Sequence, residues 1–119
     1  MGRRRLDELY GAMRENAPEL QQMLSSYLHQ DWPIHSGTPE AAVDDAIAER
    51  TLAQRQAAAK ELRWWHEKYG SASDVRDIVN DGFHVNVYFR KPQEAHDFMG
   101  MVYEKMIASI KADTEKWPS

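Results

Sequence analysis

The chain has 119 residues, 42% of them hydrophobic, with 15 basic and 19 acidic side chains and no cysteine. This describes one globular domain with one modest core; it excludes a chain disordered by composition, and with cysteine absent it excludes disulfides, thiolate zinc sites and cysteine nucleophiles. No apolar run approaches the roughly 18–20 residues of a membrane span, and a net charge of −4 disfavours nonspecific nucleic-acid binding, which rests on neutralising phosphates.

The first five residues, MGRRR, are basic, but an amphipathic stretch follows them rather than an apolar segment ending in small residues, so a secretory signal is not expected and the cytoplasm is the expected location. Apolar residues then recur at steps of three and four through Leu6, Leu9, Met13, Ala17, Leu20, Leu24 and Tyr27, the mark of helix with one buried stripe. Pro18 interrupts it. Asn16-Ala17-Pro18-Glu19 has the spacing of a capped start, with Asn16 accepting from freed amides and Glu19 reaching back. Two helices are therefore expected, over about 4–15 and 17–29.

After Trp32-Pro33, the run Ser36-Gly37-Thr38-Pro39-Glu40 predicts a turn at Gly37, a cap at Thr38 and a third helix from Pro39. It turns Val43, Ala46 and Ile47 inward and places Glu40, Asp44, Asp45 and Glu49 on the outer side. A fourth helix over about 51–69 carries Ala58, Leu62, Trp65 and Tyr69 on one stripe and stops at Gly70, read as a left-handed C-terminal cap; Trp64 lies off the stripe.

Ser73 is positioned to cap a short fifth helix that buries Val75, Ile78 and Val79 and sets Asp74, Asp77 and Asp81 at i, i+3 and i+7 on one face. Gly82 ends it. FHVNVYF, residues 83–89, then alternates with the period of a strand. With no second strand to pair with, it is one arm of a small ribbon, an edge for another chain, or extended packing, the first and last being favoured. Pro92 opens a final helix whose stripe is Ala95, Met99, Val102, Met106 and Ile110, with Phe98 beside it. The expected fold is mainly α: a single-domain bundle of about six helices, with at most one short β segment near 83–89. No internal repeat or low-complexity tract is present.

The densest cluster of chemistry-bearing side chains is YLHQDW, residues 27–32. His29 and Asp31 are types that ligate metals or pair as base and orienter. A metal site needs three or four ligands, however, and His35, His66, His84 and His96 show no paired helical spacing. The favoured role for Tyr27, His29, Gln30, Asp31 and Trp32 is structural: His29 and Asp31 satisfy backbone groups where the second helix ends, and Trp32 fills the core. The six glycines form no phosphate loop. Ser25 and Ser26 near His29 lack the strained elbow and oxyanion donors that acyl transfer needs. Arg3-Arg4-Arg5 is followed by no basic recognition helix, since Arg50, Arg55, Lys60, Arg63 and Lys68 are interspersed with Glu49, Glu61 and Glu67. No cofactor, metal or catalytic residue is expected.

The stretch APELQQMLSSYLHQDWPIHSGTPEAAVDDAI resembles the immunity proteins of bacterial contact-dependent growth inhibition systems: a leucine-rich helix, a Tyr-x-His-Gln-Asp-Trp segment, a Gly-Ser/Thr-Pro-Glu turn and an Ala/Val-rich helix. The likeness is strongest over 20–47 and continues more loosely to about 110. Residues 1–15 read as an N-terminal helical extension and 16–112 as the family-like region; the strand-like alternation at 83–89 is the second departure. The resemblance implies a small, mostly helical cytosolic protein, not an enzyme, that binds and neutralises a toxin domain delivered by a neighbouring cell. It also implies that His29, Gln30, Asp31 and Trp32 maintain the fold.

A nuclease toxin holds a polyanion in a basic cleft, which an acidic surface can occupy with fast electrostatic association. The acids expected to meet it are Glu40, Asp44, Asp45 and Glu49 on the third helix and Asp74, Asp77 and Asp81 on the fifth. The competing reading is a small nucleic-acid-binding regulator using the arginine-rich start; a weaker one is a metal hydrolase built on His29 and Asp31. Oligomeric state is not legible.

Overall fold

In a computed structural model the described residues are 2–29 and 37–114, so Gln30, Asp31 and Trp32 of the aromatic motif lie outside them. The described residues form six helices and no strand: α1 (Gly2–Asn16), α2 (Pro18–Tyr27), α3 (Pro39–Ala48), α4 (Leu52–Tyr69), a π-helical turn α5 (Ile78–Gly82) and α6 (Pro92–Asp113). The mainly α expectation holds. No helix is long and apolar enough to cross a membrane.

Helix α2 lies at the centre, packed against α1, α3 and α4, while α6 closes the other side against α3 and α4 and α1 crosses α5. The buried core follows the sequence stripes: Met13, Ala17, Leu20 and Leu24; Val43, Ala46 and Ile47; Ala58, Leu62 and Trp65; and Ala95, Phe98, Met99, Val102, Met106 and Ile110. Gly82 sets the distance between α1 and α5. A Cβ there would lie 2.7 Å from Cγ of Met13, so only glycine lets the first helix settle onto the turn.

Helix starts divide into those satisfied locally and those satisfied from a distance. Thr38 caps α3 by accepting from the Ala41 amide at 3.1 Å, as expected, and Thr51 with Gln54 forms a reciprocal capping box on α4. At α2 the expectation fails. Its N-cap is Ala17, with no side-chain bond, and Asn16 instead donates back to the Ala12 carbonyl of α1. Glu61, on α4, accepts from the Leu20 amide at 2.8 Å, while Glu19 sits 3.9 Å from Arg50. A cap supplied from 41 residues away leaves no local sequence signature.

Two further starts and stops differ from expectation. Gly70 has right-handed angles, φ −61° and ψ −26°, not left-handed ones; its amide bonds the His66 carbonyl, and a side chain there would strike that same carbonyl. Before α5 the capping oxygen belongs to Asp74, which accepts from the Arg76 amide at 3.1 Å, rather than to Ser73.

Residues 83–89 form no ladder, yet the alternation in the sequence is real. Phe83, Val85 and Phe89 are buried, while His84, Asn86 and Tyr88 are exposed. The groups a neighbouring strand would have bonded are taken by other atoms. Asn80 donates to the carbonyls of Val85 and Val87, both at 2.8 Å, and the Asn86 amide donates to the Leu28 carbonyl at 2.6 Å. One edge is thus held by a side chain of α5 and the other by the end of α2, and the segment is extended packing.

Gln21 and Arg55 are the buried polar residues among those described. Arg55 donates to the Arg50 and Ser109 carbonyls and the Ser109 hydroxyl and pairs with Asp113, fastening the start of α4 to the end of α6. The Gln21 amide donates to the Tyr10 carbonyl at 2.9 Å and the Gly82 carbonyl at 2.8 Å, joining α2, α1 and α5 through one side chain. Gln21→Leu keeps the volume but strands both carbonyls, and it is expected to destabilise the protein by about 2–4 kcal/mol. Urea denaturation checks this; an unchanged midpoint would mean the two carbonyls find other partners.

Candidate functional site

The extended segment and α5 together form the floor and wall of an open groove of about 810 Å³. Asp77, Asn80 and Asp81 line it from α5, His84, Asn86 and Tyr88 from the segment, and His29 from the end of α2. Asp77, at the N-cap of α5, and Asp81 stand four residues apart, about one helical turn, and both line this groove. Asp74 does not join them. It precedes the helix and faces Arg76, which donates to its two oxygens at 3.0 and 2.8 Å.

Two features mark the groove. Tyr88 is 85% exposed, the one large exposed hydrophobic residue among those described. His84 has φ +52°, a left-handed backbone that a side-chain-bearing residue adopts at some strain, and its ring stacks on Tyr10 at 4.1 Å with 23° between the planes. Strained backbone of this kind collects at functional surfaces.

The acids of α3 are arranged differently. Glu40, Asp44, Asp45 and Glu49 are all exposed, as the helical spacing predicts, but they do not line this groove, and Asp44 is paired with Lys105 of α6 at 3.0 Å. Tyr27, the first residue of the aromatic motif, lies near the end of that row. Burial first, and then the charges of Glu49 and Asp45, push its phenol above the ordinary value.

A second concavity, about 430 Å³, lies between α4 and α6. Leu62, Trp65 and Met99 give it an apolar lining, Gly100 leaves it open, and Glu67 and Glu104 belong to its margin. Trp65 is 2% exposed, and its indole nitrogen has no hydrogen-bond partner. The Arg63 Nε donates to the Tyr103 hydroxyl at 3.2 Å across the cleft. Among the described residues no group of three or more His, Asp or Glu side chains could hold a metal ion.

The family model for the CdiI immunity protein matches residues 16–106, well over half of the chain. The chain belongs to the CdiI immunity protein family. No curated protein and no solved structure matches it. The matched region begins at the junction of α1 with α2 and includes both concavities in full.

Sequence reasoning assigned Asp77 and Asp81 to partner binding and His29 to maintaining the fold, and the fold brings those three to one groove. It missed Tyr88, His84 and the α4–α6 cleft. The out-of-pattern tyrosine on the polar side of the alternation was a signal for the first; nothing local signals a left-handed histidine or an unpaired indole.

Asp74 illustrates how much acidic charge is already engaged. The Arg76 guanidinium hydrogen bond, followed by the Arg76 amide, lowers its carboxyl from 3.8 to about 2. Because the folded value lies below the unfolded one, this contribution to stability is present above the unfolded value and is lost as pH falls through about 2. Carboxyl titration by NMR should place the Asp74 midpoint near that value and return it toward 3.8 in Arg76→Ala; an unshifted midpoint in the parent would show that the pair does not persist in solution.

Proposed function

We propose that this chain protects the cell that makes it by binding, one to one, the C-terminal toxin domain of a contact-dependent growth inhibition system. The observation that carries this is membership of the CdiI immunity family over residues 16–106. The proposed mode of action is occupation, with no reaction on the immunity protein.

The toxin is proposed to be a nuclease. Such an enzyme must present cationic groups to hold its polyanionic substrate, so an acidic surface both fits its cleft and draws it in from a distance. Two surfaces are candidates: the α5 groove, with Asp77 and Asp81 and Asp74 beside it, and the outer row of α3, with Glu40, Asp44, Asp45 and Glu49. The groove is preferred. It supplies shape as well as charge, and Tyr88 offers the kind of exposed aromatic anchor that concentrates binding energy at protein interfaces. The added-strand mode is disfavoured, because Asn80 and the Leu28 carbonyl already occupy backbone groups on both edges of the segment.

Asp77→Asn with Asp81→Asn is expected to slow association about tenfold at low salt and to flatten its salt dependence, since attraction between exposed charges is screened over roughly 8 Å at physiological ionic strength. The parallel set Glu40→Gln, Asp44→Asn, Asp45→Asn and Glu49→Gln should have the smaller effect. Stopped-flow association with the toxin domain encoded by the neighbouring reading frame, and survival of cells expressing that toxin, measure both. Parent-like behaviour of both sets, with the complex still forming, would refute the electrostatic mechanism.

A further inference from the structure

The two concavities border one stretch of chain. The His96 ring nitrogen lies 2.7 Å from the Ala72 carbonyl, Arg76 donates to the Arg90 carbonyl at 3.1 Å, and the Arg90 amide donates to Glu94 at 2.7 Å. Residues 72–76 are thereby stitched to the start of α6, with His96 lining the cleft and Arg76 lining the groove. A partner seated on the groove reaches the cleft by crossing this short bridge.

The cleft has two properties that the free protein does not explain. Gly100 stands in mid-helix, where glycine is unfavourable, yet nothing lies within 4 Å of where its Cβ would be, so internal packing does not require a glycine. Glu67 on α4 and Glu104 on α6 are exposed and make no hydrogen bond or ion pair among the described residues, whereas Asp44, Asp74 and Asp113 are all ion-paired.

We infer that the α4–α6 cleft receives a lysine or arginine side chain of the toxin domain, its stem on Leu62, Trp65 and Met99 and its head between Glu67 and Glu104. Long basic side chains combine an apolar stem with a charged tip and fit a site that is apolar inside and acidic at the rim. The two carboxylates outnumber the single cation at the margin, Arg63, which is engaged by Tyr103. The backbone of the inserted residue stays at the mouth of the cleft, since the Trp65 indole nitrogen is closed to outside atoms. Gly100 lets that backbone approach α6.

This inference rests on the immunity reading, and the test separates the two. Isothermal titration would measure the affinity of the purified toxin domain for four proteins: the parent, Gly100→Leu, Gly100→Ala, and Glu67→Gln combined with Glu104→Gln, each checked by thermal melting. Gly100→Leu, which fills the cleft from an exposed position, and the double glutamine variant should each raise Kd at least about tenfold while melting no lower than the parent. Gly100→Ala should bind as the parent does. Parent-like Kd for both Gly100→Leu and the glutamine pair would overturn the cleft and leave the immunity reading standing. Loss of affinity in Gly100→Leu alone would overturn a cationic occupant. A parent that fails to bind the toxin domain at all would overturn both readings.

Discussion

The start of helix α2 is the constraint on which the rest of the structure depends. Its first amides are partly buried, and neither Asn16 nor Ala17 supplies a side-chain oxygen for them. Glu61 reaches over from α4 and accepts from the Leu20 amide, putting a carboxylate where the positive end of the helix favours one. Burial still pushes its carboxyl above the ordinary value, against the Leu20 and Glu19 amides that favour the charged form. The arrangement makes α2 and α4 mutually necessary. One turn in, Gln21 ties α2 to α1 and α5, and at the far end the Leu28 carbonyl holds Asn86. The groove is therefore shaped by α2 along its whole length, although α2 itself contributes only the residues at its C-terminal end.

Helices α4 and α6 are pinned near both ends and parted between. Arg55 grips Ser109 and Asp113 at one end, and His96 meets Ala72 at the other. Between these clamps the small residue Gly100 faces the large Trp65, and the volume that remains is the cleft. A buried arginine that makes four hydrogen bonds is costly to break, so the clamp is rigid. Rigid walls suit a surface that must be ready before its partner arrives, because little ordering remains to be done on binding.

What could be read from the sequence follows the range of the interactions. The stripes of α3, α4 and α6, the Thr38 cap and the turn at Gly37, which has φ +84°, depend on neighbours a few residues away and were legible. The cap of α2, the backbone conformation of Gly70 and the absence of a ladder at 83–89 depend on Glu61, on the close carbonyl of His66 and on Asn80 with Leu28; local pattern placed the stop of α4 at Gly70 correctly and misassigned its handedness and the cap of α2. The alternation at 83–89 correctly assigned burial and could not assign partners, since a side-chain amide satisfies a carbonyl as well as a strand does. For the site, Asp77 and Asp81 are legible as charged residues of one face, and the fold sets them beside His29, which the sequence marks as structural. The equal weight given to Asp74 reflected helical spacing carried back to residue 74, whereas Asp74 precedes the helix and is held by Arg76. Gly100 and Trp65 become informative only once α4 and α6 are set side by side.

In the proposed complex the toxin domain covers Tyr88 and the α5 acids, residues 72–76 and the α4–α6 cleft. Amide hydrogen exchange on the chain alone and in complex with its toxin domain tests this most directly, because protection reports each segment separately. Slowed exchange is expected on binding over residues 76–89 and around 96–104, with the outer row of α3 unchanged. Protection confined to α3, or to α1 alone, would contradict it.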